Sequence, residues 1–172
     1  RMSRPQHATD VGSELIAALI RGYRADKQLA ERALAQLEEA DWHVALDSES
    51  NPVSVLVRHI AGNLRSRWTD FLTSDGEKPT RDRDHEFERV ELSVDEMMAE
   101  WEAGYQALFD TLESLAPEDL TRTVTIRGEP HGVIQAMLRN YAHTAQHVGQ
   151  IVMLAKHLAG DRWQTLSIPR QR

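Results

Sequence analysis

In the segment HTAQHVGQ, His143 to Gln150, two histidines stand four residues apart in a stretch that otherwise has the apolar spacing of a helix. At i and i+4 two imidazoles share one helix face, and neutral imidazoles so placed can hold one metal ion. The same pair can also be two core or edge histidines hydrogen-bonded to neighbours, because such spacing arises without any ligand. A third ligand would separate these readings. The sequence offers His59, in VRHIAGN, beside Leu56 and Ile60 at the margin of another apolar stripe. A lone histidine there is structural. Its value lies in the combination, since sites in helical bundles are built from side chains on facing helices.

The other histidines fit less well. His7 lies near the N-terminus, His43 just beyond the first helix, His85 in a charged loop, and His157 on the wet side of the last helix. His131 precedes His143 by twelve residues, which is roughly 18 Å along a helix at 1.5 Å per residue, too far to share an ion. Thr144 follows His143, where an HExxH metalloprotease helix has its general base. Nor do the helices carry the paired Glu-x-x-His motifs of a di-iron site. Three imidazoles without a carboxylate leave an ion's charge available and at least one coordination position open, as in catalytic sites. Such an ion can lower the pKa of a bound water or take up a thiol as its thiolate. Imidazoles suit zinc, nickel, iron and cobalt, with zinc the default expectation. No side chain is assigned a catalytic role of its own. Asn63, one turn beyond His59, and Asn140, nearly one turn before His143, either orient a ligand's second nitrogen or simply decorate their helices.

Four segments of helical periodicity must position these residues. The first runs from about Val11 to Glu39, with Leu15, Ile16, Leu19, Tyr23, Leu29, Ala30, Ala33 and Leu37 recurring at i, i+3 and i+4. The second opens at Asn51-Pro52, a cap with proline at the first helical position, and reaches about Thr73. The third begins with the capping-box signature of Ser93 and Glu96 and stops before Pro117. The fourth spans about Gly132 to Ala159, with Gly160 as its stop. On its wheel Ile134, Met137, Leu138, Tyr141, Ala145, Val148 and Val152 form one apolar stripe, while Gln146 and Gln150 fall on the wet side. His143 and His147 lie between, on a second inward stripe with Ala136, Asn140, Ile151 and Leu154, as on a helix covered on two sides.

The loop SDGEKPTRDRDHEFE is too charged for a long helix. Its run Arg81 to Asp84 either positions an acidic substrate or is a solvated set of self-paired charges fixing the loop. TRTVTIRGEPHG reads as a short strand or hairpin. Trp68, Trp101 and Trp163 either line a pocket or, for the first two, belong to the core. At 172 residues the chain suits one domain. It has no cysteine, hence no disulfide, thiolate ligand or cysteine nucleophile. Its net charge of −7 argues against a nucleic-acid partner. No apolar run approaches the roughly 20 residues of a membrane span, so a soluble cytoplasmic protein is expected.

In the words VRHIAGNLRSRWTDFLTSDGEKPTRDRDHEF, WEAGYQAL, IRGEPHGVIQAMLRNYAHTAQHVGQIVMLAKHLAG and LSIPR the sequence resembles the DinB/YfiT-like superfamily of four-helix-bundle metalloproteins, closest to a bacterial branch of this length. The matching words cover most of the chain from the second helix onward, and the long loop is the most specific. Four long helices with long connections between helices 2 and 3 and between 3 and 4 suggest an all-α four-helix bundle in one domain, residues 1–172, and the resemblance implies its up-down-down-up type. It further implies a homodimer and a divalent ion held by one histidine of the second helix and an HxxxH pair of the last, here His59, His143 and His147. Superfamily members transfer small thiols such as bacillithiol or mycothiol to electrophiles, or isomerise thiol adducts. A metal-dependent transferase using a low-molecular-weight thiol on a small electrophile is therefore the leading expectation. The alternatives are a metal-dependent hydrolase and a non-catalytic dimeric metal-binding protein. No DNA binding is implied.

Overall fold

The computed structural model describes residues 6–88, 90 and 92–168, with residues 6–10 described by backbone alone. The last two residues of LSIPR lie outside that range. The chain is mostly helical. Four long helices, α1 (Gln6–Leu34), α2 (Val53–Trp68), α3 (Val94–Ser114) and α4 (Val133–Ala159), share one hydrophobic core, and a small hairpin, β1 (Thr123–Ile126) and β2 (Glu129–Gly132), precedes α4. No described helix is long and apolar enough to cross a membrane.

The helix α2 is the centre of the arrangement. It is buried nearly all round, only Gly62, Arg65 and Arg67 reaching solvent to any degree, which is what a helix covered on several sides requires. It packs most widely on α3, while α1 packs on α4 and α4 on α2. The α2–α3 contact is close because Gly104 of α3 lies against the backbone of Ala61, where a Cβ would come 2.8 Å from the Ala61 carbonyl oxygen. Trp68 and Trp101 are fully buried core residues, whereas Trp163 is half-buried beyond α4.

Helix ends follow local chemistry. The Ser93 hydroxyl accepts from the Glu96 amide and the Glu96 carboxylate accepts from the Ser93 amide, closing the expected box. Gly160 ends α4 at φ 54°. Three expectations are corrected. Pro52 is itself the N-cap of α2, not its first helical residue. α2 stops at Trp68, ahead of Thr73, because Thr69 turns to extended backbone at ψ 126° and Asp70 follows at φ 49°. α1 stops at Leu34, where its last amides shift to i→i+3 bonds, and Glu39–His43 form a separate 3-10 turn that buries Trp42. On α4 the apolar stripe is only partly covered, since Ile134 and Leu138 are exposed.

The two connections lock together and bring the α2–α3 loop back over α2. In the hairpin, Arg127 and Gly128 form a two-residue turn with φ 55° and 77°, the pattern that matches strand twist. Asp75 accepts from both of their amides at 2.8 Å, and the Gly76 amide donates to the Thr125 carbonyl at 2.7 Å. Further along, the buried Arg58 of α2 donates to the carbonyls of His85, Glu86 and Glu88 at 2.9 to 3.3 Å. These bonds hold an otherwise charged, irregular segment against the helix that carries His59.

Candidate metal centre

The structure brings together the three histidines singled out by spacing and resemblance. His59 projects from α2 and is 4% exposed, while His143 and His147, one turn apart on α4, are half-buried. The Nε2 atom of His143 lies 3.1 Å from Nε2 of His59 and 3.2 Å from Nε2 of His147. One ligand atom from each falls within 4.8 Å of the others. Nitrogens bound at about 2.05 Å to a tetrahedral ion would stand about 3.3 Å apart, so the spacing fits a single small cation.

The outer nitrogens explain why those lone pairs face one another. His59 Nδ1 lies 2.8 Å from Glu86 Oε2. Glu86 is also gripped by Arg81, whose Nε and Nη2 donate to its two oxygens at 2.8 Å each. Burial raises the Glu86 pKa, but the hydrogen bonds from His59 and Arg81 outweigh it and hold the carboxylate below its usual range. An ionised carboxylate accepts, so the nitrogen His59 turns to Glu86 is its N–H, and in the neutral imidazole that tautomer leaves Nε2 as the lone pair. Likewise His147 Nδ1 donates to Gln150 Oε1 at 2.8 Å, freeing its Nε2. His143 Nδ1 is buried without a partner. Burial first, then His147, His59, Arg81 and Arg67, push the His143 pKa down to about 4. Burial lowers that of His147 as well, against the opposing Gln150 bond. The α4 pair is therefore neutral at pH 7, the form that binds metal.

Glu86 and Gln150 were not foreseen. Gln150 lies on the exposed face, as its spacing predicts, and its amide still folds back to His147. Glu86 sits 27 residues from His59 in sequence, inside the charged loop. One local signal existed: Gly62, an isolated glycine in the interior of α2. A Cβ there would collide with Glu86 Oε1, so the missing side chain is what lets the carboxylate reach His59. The reading of Arg81 to Asp84 as self-paired is also corrected. The Arg81 side chain is 5% exposed and bridges Glu86 and Glu77, the latter at 3.1 Å, and only Arg83 leans on Asp84, at 3.7 Å.

Asn63 and Asn140 touch none of the three imidazoles through any hydrogen bond found among the described residues. Asn140 Nδ2 donates to Asn63 Oδ1 at 2.7 Å, while Asn140 Oδ1 accepts from the Tyr23 hydroxyl at 2.9 Å and from Trp68 Nε1 at 2.8 Å. They tie α1, α2 and α4 together one turn from the histidines. The physical reason is the direction in which the amides face, across the interhelical seam toward buried donors instead of along the helix. The remaining histidines stay apart: His131 meets Arg139 at 3.1 Å, His85 meets Glu88 at 2.9 Å, and His43 and His157 are exposed. The side chain of His7 lies outside the described residues.

A cavity of about 210 Å³ opens beside His59 and His143. Among the described residues the cluster contains three candidate ligands, two of which, His59 and His143, line this cavity.

The family model described as Protein of unknown function (DUF1572) matches residues 10–172. No curated protein and no solved structure matches the chain.

Proposed function

We propose that this chain, which belongs to the DUF1572 family, is a divalent-metal-dependent enzyme that uses a low-molecular-weight thiol to modify a small electrophile. The observation that carries the metal reading is the convergence of three Nε2 atoms at 3.1 and 3.2 Å, two of them aimed by outer-nitrogen bonds to Glu86 and Gln150. The resemblance adds the thiol, a four-helix bundle of the DinB/YfiT-like type and a homodimer, while chain length, net charge and hydropathy favour one cytoplasmic domain with neither nucleic acid nor membrane as partner.

When bound, zinc or a similar ion supplies Lewis-acid activation of a thiol or of water. The protein does the rest. Glu86, held by Arg81, keeps the His59 proton on Nδ1. Arg58 holds the Glu86 backbone, and the Asn63–Asn140 bond fixes α2 against α4. With no cysteine in the sequence, the reacting sulfur comes from a small molecule. Three imidazoles and an adjoining cavity favour catalysis over a purely structural ion, which takes four protein ligands.

The test begins with elemental analysis of metal-replete protein, which should hold about one ion per chain, while His143→Ala holds none. Absence of metal in the parent protein would end the reading. Assays of epoxides and alkyl halides with low-molecular-weight thiols, beside esters and amides, then separate transferase from hydrolase. A structural ion would instead show itself by unfolding of the chain when it is removed.

A further inference from the structure

We propose that the cavity beside the histidines is an oxyanion site, and that the substrate is a compact acid whose carboxylate or phosphate sits among Arg83, Arg127 and Arg139. This rests on the metal reading for the word substrate; the anion site itself does not need the ion.

The cavity is lined by His59 and His143 and by five arginines, Arg67, Arg81, Arg83, Arg127 and Arg139, with no acidic side chain among its described lining residues. In a chain of net charge −7 this is a local reversal of sign. Three of the five, Arg67, Arg81 and Arg127, are paired with carboxylates. The Arg81 side chain is buried against Glu77 and Glu86, and Arg67 donates to the Gly76 carbonyl and to Glu77 at 3.0 Å. Glu77 also receives Arg127 Nε at 2.9 Å. Two carboxylates thus face three guanidiniums, and neither lines the cavity.

The other cations have weaker ties. Arg139 Nη1 meets the imidazole of His131 at 3.1 Å. Arg83 stacks over Phe87 at 5.0 Å and stands 3.7 Å from Asp84. Arg83, Arg127 and Arg139 are all solvent-accessible and come from three separate elements: the α2–α3 loop, the hairpin turn and α4. Arg127 occupies a left-handed turn position, φ 55°, whose amide is fixed by Asp75. Planar guanidiniums grip carboxylate and phosphate oxygens in pairs. A volume of about 210 Å³ is below the roughly 300–1,000 Å³ of sites for drug-sized ligands, which points to a small acid. Bound there, its remaining atoms lie next to the converging Nε2 atoms.

The experiment is titration calorimetry at low ionic strength with inorganic phosphate, acetate and succinate, on zinc-loaded and chelator-treated protein. Wild type, Arg83→Gln, Arg139→Gln and the double variant are compared, with melting curves and metal content measured for each. The expected result is saturable one-site binding of at least one probe, weakened about tenfold or more in the double variant while metal content and melting temperature stay put. Phosphate-only or carboxylate-only binding assigns the source of the oxyanion. The proposal is overturned if no probe binds, or if binding is indifferent to both arginine changes. Binding that needs zinc and ignores the arginines means the anion is merely an exchangeable ligand of the ion. Arginine-dependent binding by a chain that takes up no metal would keep the anion site and sink the metal reading instead.

Discussion

Two polar clusters lie one turn apart along the same α2–α4 seam, and they are built on opposite principles. In the first, Tyr23, Trp68, Asn63 and Asn140 match donor to acceptor: Asn140 accepts twice through Oδ1 and donates once through Nδ2. It is complete without any ligand, as buried polar networks in a stable core must be. In the second, three imidazoles turn like atoms toward one another, and the outer nitrogens of His59 and His147 are saturated by Glu86 and Gln150 while His143 Nδ1 has no partner. Bare lone pairs facing one another gain nothing, so in the metal-free protein a proton on His143 Nε2 must bridge them, in the place a cation would take. The first cluster is structural by satisfaction. The second asks for a cation.

Two alanine substitutions should pull the clusters apart. His143→Ala removes the central ligand and should weaken metal binding by more than the roughly 10- to 100-fold expected for losing an outer partner, leaving the stability of the metal-free protein at pH 7 as before. Asn140→Ala strips the acceptor from Tyr23 and Trp68 and the donor from Asn63. With each orphaned group costing roughly 1–3 kcal/mol, a loss of about 3 kcal/mol in urea unfolding is expected, with metal stoichiometry retained in the folded state. If Asn140→Ala instead empties the site while leaving the unfolding midpoint unmoved, the two clusters are not the independent devices described above.

Smaller changes probe the support around His59. Glu86→Gln keeps the size of the side chain but weakens the charge-assisted acceptor, and metal affinity should fall about 10- to 100-fold, as for other partners of metal-binding histidines. Gly62→Ala reaches the same bond by a different route. Its methyl occupies the space of Glu86 Oε1, so affinity should fall although alanine favours the helix by up to about 1 kcal/mol. Competition titration with a chromogenic chelator measures both. An alanine at position 62 that binds zinc as tightly as the parent would mean that the Glu86 contact has no part in holding His59.

The same contrast explains what could be read in advance. His59, His143 and His147 were legible because i, i+4 spacing and helix placement are local properties. The four helices and the hairpin were legible from periodicity, capping and the turn glycine for the same reason. Glu86 was not, since its position depends on Arg58 gripping carbonyls across the loop and on Asp75 pinning the hairpin turn. Such contacts leave no pattern in the flanking residues. The asparagines fall between: spacing gave their turn of the helix correctly, but not whether the amide would face along the helix to an imidazole or across the seam to Tyr23 and Trp68.

The pH dependence of the metal-free protein offers the finest separation of the two clusters. His143 is held near pKa 4 in the folded chain against about 6.5 in the unfolded one. Between these values the unfolded state binds more protons, so stability is present above pH 6.5 and declines as pH falls toward 4. His147, also lowered, acts in the same direction. Glu86, lowered from its model-peptide value of 4.5, contributes only at the acid end, because its stabilisation is lost as the carboxylate protonates. With partial screening by water the histidine effect should amount to about 1 kcal/mol. The asparagine cluster contains nothing that titrates in this window. Asn140→Ala should therefore displace the stability–pH curve downward without changing its shape between pH 4 and 6.5, whereas His143→Ala should flatten that slope. Chemical denaturation at half-unit pH steps measures both curves. Equal slopes in the parent and His143→Ala would show that the central imidazole is not kept from its proton by the folded protein, and the lone pairs described above would then not be free for a cation.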